Sequence, residues 1–194
     1  MAVWVFAYGK NNLYDEIGED ETKYLDTLKN VEIDARKILK SLDETHSYLR
    51  GSGQYVPKSN CATDSSHTGW EKHGSYGFRY SLPNVGLYDT IRCARINDLI
   101  WVTGPWDIFS VYGSPQSVIS PESLDFYHDS FKRIMLAFDS DFIVYGHEWS
   151  SVYGSDDNND FNSNDLMHQI RSAGKSSDSI HTMQDFYFEQ LSTR

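Results

Sequence analysis

Cysteine is the scarcest informative residue: Cys61 and Cys93 are the two in a chain of 194 residues. That is too few for a secreted disulfide framework, and no Cys-x-x-Cys spacing marks a zinc or dithiol centre. Free thiols are the expected state, with one bridge as the alternative, and they suit a reducing, cytoplasmic compartment. No stretch approaches the ~18 apolar residues of a membrane-spanning helix. The N-terminal run to Gly9 is apolar for only a few residues and has no basic region of a leader before it, so it reads as a first strand. Basic residues are few as well, 17 against 28 acidic ones, for a net charge of −11. A direct nucleic-acid partner is excluded on that ground, because phosphate binding needs clustered Lys and Arg.

The acidity is uneven. Residues 1–50 carry 7 basic and 10 acidic groups (−3), residues 51–100 carry 5 and 4 (+1), and residues 101–194 carry 5 and 14 (−9). A C-terminal half so charged is a solvated surface or one that attracts a basic protein partner.

Periodicity predicts a single α+β domain over 1–194: an antiparallel meander sheet packed by two main helices, with a short C-terminal helical appendage. Val3 to Tyr8 reads as a buried strand. Val31, Ala35, Ile38, Leu42, Thr45 and Leu49 make one helical stripe, extendable backward through Leu25 and Leu28, and Gly51 and Gly53 end it. Residues 52–75, rich in Ser, Gly, Thr and Asn, read as a long loop. Short strand-like runs follow at 76–82, 87–96, 99–103 and 108–112, divided by Pro83-Asn84, Asn97-Asp98 and Gly104-Pro105. Ser120 as N-cap, Pro121 and Glu122 open a second helix with Leu124, Tyr127, Phe131 and Phe138 on one face. Phe142 to Tyr145 returns as a strand. Residues 155–165 form an exposed acidic loop, and 166–194 a segment docked on the body, with Phe186, Tyr187, Phe188 and Leu191 anchoring a last helix.

Fragments of active-site motifs fail individually. Gly174-Lys175-Ser176 has the tail of a phosphate-binding loop, but Gln169 stands where its leading glycine belongs. Asp156, Asn158 and Asp160 have calcium-loop spacing, yet Phe161 and Met167 occupy the positions that need Gly and Glu. No metal pattern links His67, His73 and His147-Glu148. His128-Asp129-Ser130 fits half of a paired His-x-Ser/Thr phosphodiesterase signature, while His46-Ser47 and His181-Thr182 miss the spacing. These failures predict no cofactor, no metal and no catalytic residues.

What remains is aromatic and acidic. Thirteen Tyr and 5 Trp carry polar atoms suited to half-buried and interface positions. The expected partner-binding patch comprises Trp106, Glu148, Trp149, Tyr153, Asp156, Asp157, Asp160 and Asp165, aromatic anchors flanked by carboxylates that steer a basic partner.

An aromatic first strand ending in Tyr8-Gly9, the segment Ala35-Arg36-Lys37-Ile38-Leu39-Lys40-Ser41-Leu42, a Gly-rich middle, and Ser120-Pro121-Glu122-Ser123-Leu124 through Ala137-Phe138-Asp139-Ser140-Asp141 together make the layout. It resembles the immunity proteins of bacterial polymorphic-toxin and type VI secretion loci, in particular immunity protein family 52. The resemblance implies a nuclease-type toxin as partner, its basic cleft blocked by this chain. A phage-encoded inhibitor of a bacterial defence protein, or a small hydrolase, is the alternative.

Overall fold

The structure, a computed structural model, describes residues 5–34, 69–72, 77–81, 91–104, 121–147, 149–154 and 160–192. In chain order these form β1 (Val5–Lys10), α1 (Tyr14–Ile17), α2 (Glu21–Lys29), β2 (Gly69–Lys72), β3 (Phe78–Ser81), β4 (Ile91–Ile96) and β5 (Leu99–Thr103). They continue as α3 (Pro121–Ala137), β6 (Phe142–His147), α4 (Ser163–Ala173), a 3-10 turn (Ile180–Thr182) and β7 (Tyr187–Gln190). The seven strands make one sheet in the order β2-β3-β4-β5-β1-β6-β7. Every neighbouring pair is antiparallel, so the α+β architecture is the expected one. β2 to β5 form the meander, and β1 joins it to the β6–β7 pair.

Side chains alternate between two cores, as the period of a strand requires. On one face Ala7, Phe78, Ile91, Cys93, Ile100, Val102, Ile143 and Tyr145 meet α2 and α3 through Tyr24, Leu28, Phe131, Ile134 and Phe138. On the other, Phe6, Tyr8, Leu99, Phe142 and Val144 meet Val152, Phe161, Leu166 and Phe186. Layers on both sides explain why β6 is buried at all six positions. Each large apolar side chain so enclosed contributes about 2 kcal/mol. Gly9 lets α3 close on β1, since a Cβ there would strike Met135 Sδ and Ser140 Oγ. The two-residue Asn97-Asp98 turn between β4 and β5 puts Asn97 at φ 51°, a conformation Asn tolerates.

Four expectations change. The stripe expected from Val31 does not run back unbroken through Leu28 and Leu25: Asp20 accepts from the Thr22 and Lys23 amides and starts a separate helix, α2, which ends at Asn30. Val31–Asp34 is not helical; Val31 and Ile33 are buried around exposed Glu32, and Arg133 holds the Glu32 carbonyl at 2.9 Å. The rest of that stripe, residues 35–49, lies outside the described residues. The loop expected over 52–75 contains β2, whose Trp70 packs edge-on against Tyr80 of β3 at 5.2 Å. The last segment is β7 rather than a docked helix. Phe186 and Phe188 pack in one core and Tyr187 against the other, an alternation that only a strand gives. The helical appendage is α4, which begins at Ser163, so Asp165 belongs to its first turn rather than to the acidic loop. The strand expected at 108–112 lies outside the described residues.

Candidate functional site

The expected patch is divided by the structure. Trp149 stands in the turn after β6 with 54% of its surface exposed. That turn is held at every residue: the Trp149 amide donates to His147 Nδ1 at 3.1 Å, the Ser150 amide to the His147 carbonyl at 2.8 Å, and the Ser151 amide to Asp185 Oδ1 at 2.8 Å. The Ser150 hydroxyl accepts from the Val152 amide at 3.1 Å. The indole is thus presented from a fixed backbone.

Tyr153 does not accompany it as a displayed contact. Its ring packs on Phe6 at 5.8 Å, and Gln169 of α4 bonds both its amide and its carbonyl. Asp165 is engaged as well: it accepts from the Asn162 amide at 3.2 Å and completes the capping box of α4. Asp160 is exposed at the foot of that helix. Trp106, Glu148, Asp156 and Asp157 lie outside the described residues.

A different group of titratable side chains comes together under α3. His128 Nδ1 lies 2.7 Å from the Tyr145 hydroxyl and its Nε2 2.7 Å from Glu189 Oε2. Tyr187 donates to the same carboxylate oxygen at 3.0 Å, and Lys132 Nζ to Oε1 at 3.0 Å. One helix and two strands supply the members, which the sequence separates by 17 and 61 residues from His128.

Burial lowers the His128 pKa, against the Glu189 bond and charge that raise it. For Glu189 burial is the largest single effect and raises the pKa. Donation from Lys132 and His128 outweighs it, so the carboxyl ends below its ordinary value. Burial raises Tyr145 well above 10, and burial with the Glu189 bond pushes Tyr187 up to about 12. A neutral imidazole beside an acceptor-only carboxylate fixes the tautomer: Nε2 donates to Glu189, and Nδ1 accepts from Tyr145.

Comparison with known proteins returns no match: no family model, curated protein or solved structure is significantly similar to this chain.

The chain of bonds Tyr145–His128–Glu189–Lys132 has the parts of a proton relay. Its inner end is closed, because Tyr145 is 0% exposed and His128 8%. A general base must reach the proton it abstracts, so the arrangement works as a tie between α3, β6 and β7. Ser130, the third residue of the His128-Asp129-Ser130 fragment, bonds back to the Phe126 carbonyl at 2.8 Å. Gly174 ends α4 at φ 91°, and Lys175 pairs with Asp178 at 3.0 Å on the surface, so the Gly174-Lys175-Ser176 fragment is a helix terminus. Cys93 is a free buried thiol whose pKa burial pushes up, away from nucleophilic chemistry. Cys61 is outside the described residues. Among the described residues no three His, Cys, Asp or Glu side chains are placed to hold a metal ion, and no helix is long and apolar enough to cross a membrane.

Proposed function

We propose that this protein is a protein-binding inhibitor, of the immunity type, that neutralises a nuclease-type toxin by occupying its basic cleft. The observation that carries the reading is the exposed Trp149 on a turn whose backbone is pinned by His147 and Asp185. An indole is exposed at a cost in water, and a pre-ordered aromatic loses little freedom when a partner encloses it. It belongs to the half of the chain that carries −9 of the −11 net charge, computed from 5 basic and 14 acidic residues over 101–194. Carboxylates there suit a cleft built for phosphates. An inhibitor of a bacterial defence enzyme uses the same surface chemistry, and both readings place the protein in the cytoplasm. The His128 cluster lends the hydrolase reading no open base, because it is closed at Tyr145.

The test is capture of the partner from host cells, followed by a nuclease assay of the captured protein with and without this chain. The expected result is a basic nuclease whose activity falls at stoichiometric addition. Trp149→Ala is expected to raise the off-rate by about thirtyfold, the equivalent of a hot spot near 2 kcal/mol. Asp156, Asp157 and Asp160 changed together to Asn should slow association at low salt and converge with wild type at high salt. A captured partner without nuclease activity, or one whose activity persists when bound, sinks the reading.

A further inference from the structure

The second face of the sheet changes character along its width. Its apolar core draws on β1, β5, β6 and β7 and on Ile96 at the end of β4, while β2 and β3 contribute nothing to it. On β2, β3 and the start of β4 the residues that turn away from the α2–α3 core include Glu71, Arg79 and Arg92. Arg79 and Arg92 are directly opposite each other across β3 and β4, and the next partner in that row is Thr103 of β5. Two like charges facing each other across a ladder are destabilising unless something lies between them.

The described carboxylates offset that charge in part. Glu71 Oε2 forms a long ion pair with Arg79 Nη2 at 3.9 Å, beyond hydrogen-bond reach, and no carboxylate of the described residues pairs with Arg92. Arg79 Nε is buried without an acceptor. The neighbouring row, Ala94 opposite Trp101, shows the same deficit, for the Trp101 indole N–H is also buried with no acceptor. A buried donor left unpaired is unfavourable, so two of them on the face where two guanidiniums share one carboxylate describe a place short of one kind of group, an acceptor carrying negative charge. Arg79 keeps 18% of its side chain exposed and Arg92 is half-buried, so the row is reachable from solvent.

We propose that Arg79 and Arg92 form a binding site for a small oxyanion of the phosphate or carboxylate class. Planar guanidinium forks match two oxygens of such a group, and the anion would remove the repulsion across the ladder. A net charge of −11 keeps a polyanion such as nucleic acid away while leaving a single small anion free to enter. The site stands independently of the inhibitor reading.

The experiment is a titration of the isotope-labelled protein with inorganic phosphate, followed at the Arg Nε–H and Trp Nε1–H signals. Saturable shifts at Arg79 and Trp101 are expected. Arg92→Gln should weaken binding about tenfold, Arg92→Lys should fall between because it keeps the charge and loses the fork, and Lys175→Gln should match wild type. Succinate in a parallel titration separates the sources, since saturation by either anion supports the class and names its member. Arg79→Gln repeats the test from the other strand, with thermal melting to confirm folding. Non-saturating shifts with both anions, or undiminished affinity in folded Arg92→Gln, overturn the proposal.

Discussion

Two polar groups flank this sheet, and they are opposites in how their hydrogen bonds are used. Around His128 each named polar atom has its complement: hydroxyl to imidazole, imidazole to carboxylate, carboxylate to ammonium. At Arg79 and Arg92 two like charges face each other with one carboxylate, Glu71, beside them, and a buried N–H has no acceptor. A complete set of partners inside the chain marks a group whose task is to hold elements together. An incomplete one leaves room for a ligand to finish it.

The comparison breaks most severely from beneath the first group. Phe131, fully buried and stacked on Tyr145 at 6.2 Å, is its floor. Phe131→Asp should unfold the domain, because an unpaired buried carboxylate costs several kcal/mol against a total stability of roughly 5–15 kcal/mol. A wild-type melting curve would place that stripe outside the core. Glu189→Ala comes next: it leaves Lys132, His128 and Tyr187 without their shared acceptor and should cost about 2–3 kcal/mol in urea titration. Loss below about 0.5 kcal/mol would show that the tie carries no stability.

Acid should act on the same group more gradually. His128 is held below its ordinary 6.5, so as pH falls through that value the unfolded chain takes up a proton that the folded one refuses, and stability drops. Glu189, held below 4.5, adds a second loss as pH falls beneath that value. Tyr187, raised from 10.0 to about 12, makes stability fall again as pH rises across that interval. The urea midpoint measured across pH reads all three, and His128→Gln should remove the first decline. An identical acid profile in that variant would assign the decline to other groups. The smallest effect belongs to the other polar region. Arg92→Gln should leave stability within about 0.5 kcal/mol of wild type, or raise it, since it removes repulsion rather than a bond. A loss of more than about 2 kcal/mol would mean that the arginine is structural after all.

Strands with a continuous apolar run, Val5 to Tyr8 and Phe142 to Tyr145, were legible because burial on both faces writes itself into every position. The helix at Pro121 was legible because its stripe repeats over four turns. β2 was not, since Gly69-Trp70-Glu71-Lys72 is too short to show a period. β7 was misread because Phe186-Tyr187-Phe188 with Leu191 satisfies a helical spacing as well as an alternating one. His128 drew attention as part of a motif, but Tyr145 and Glu189 are joined to it by the fold alone. The Arg79–Arg92 pair needed only the register of β3 against β4, a quantity that depends on where a turn closes and is invisible in composition. Of the expected partner-binding residues, Trp149 is the described aromatic that combines exposure with a fixed backbone; Tyr153 is packed within the fold, and Asp165, though exposed, caps α4.

The place of β1 sets an order of assembly. Ala7 pairs with Val102 on one side and with Tyr145 on the other, so β1 has no neighbour in the sheet until about half of the 194 residues have been made. Closing loops of that length precedes any reward from pairing, which slows folding relative to a sheet of consecutive hairpins. Meanwhile Phe6 and Tyr8, both destined for the second core, are exposed on a nascent segment that chaperones and other chains can bind. Mutations that weaken β1 should therefore show themselves in the yield of folded protein during synthesis sooner than in the melting temperature of what has already folded.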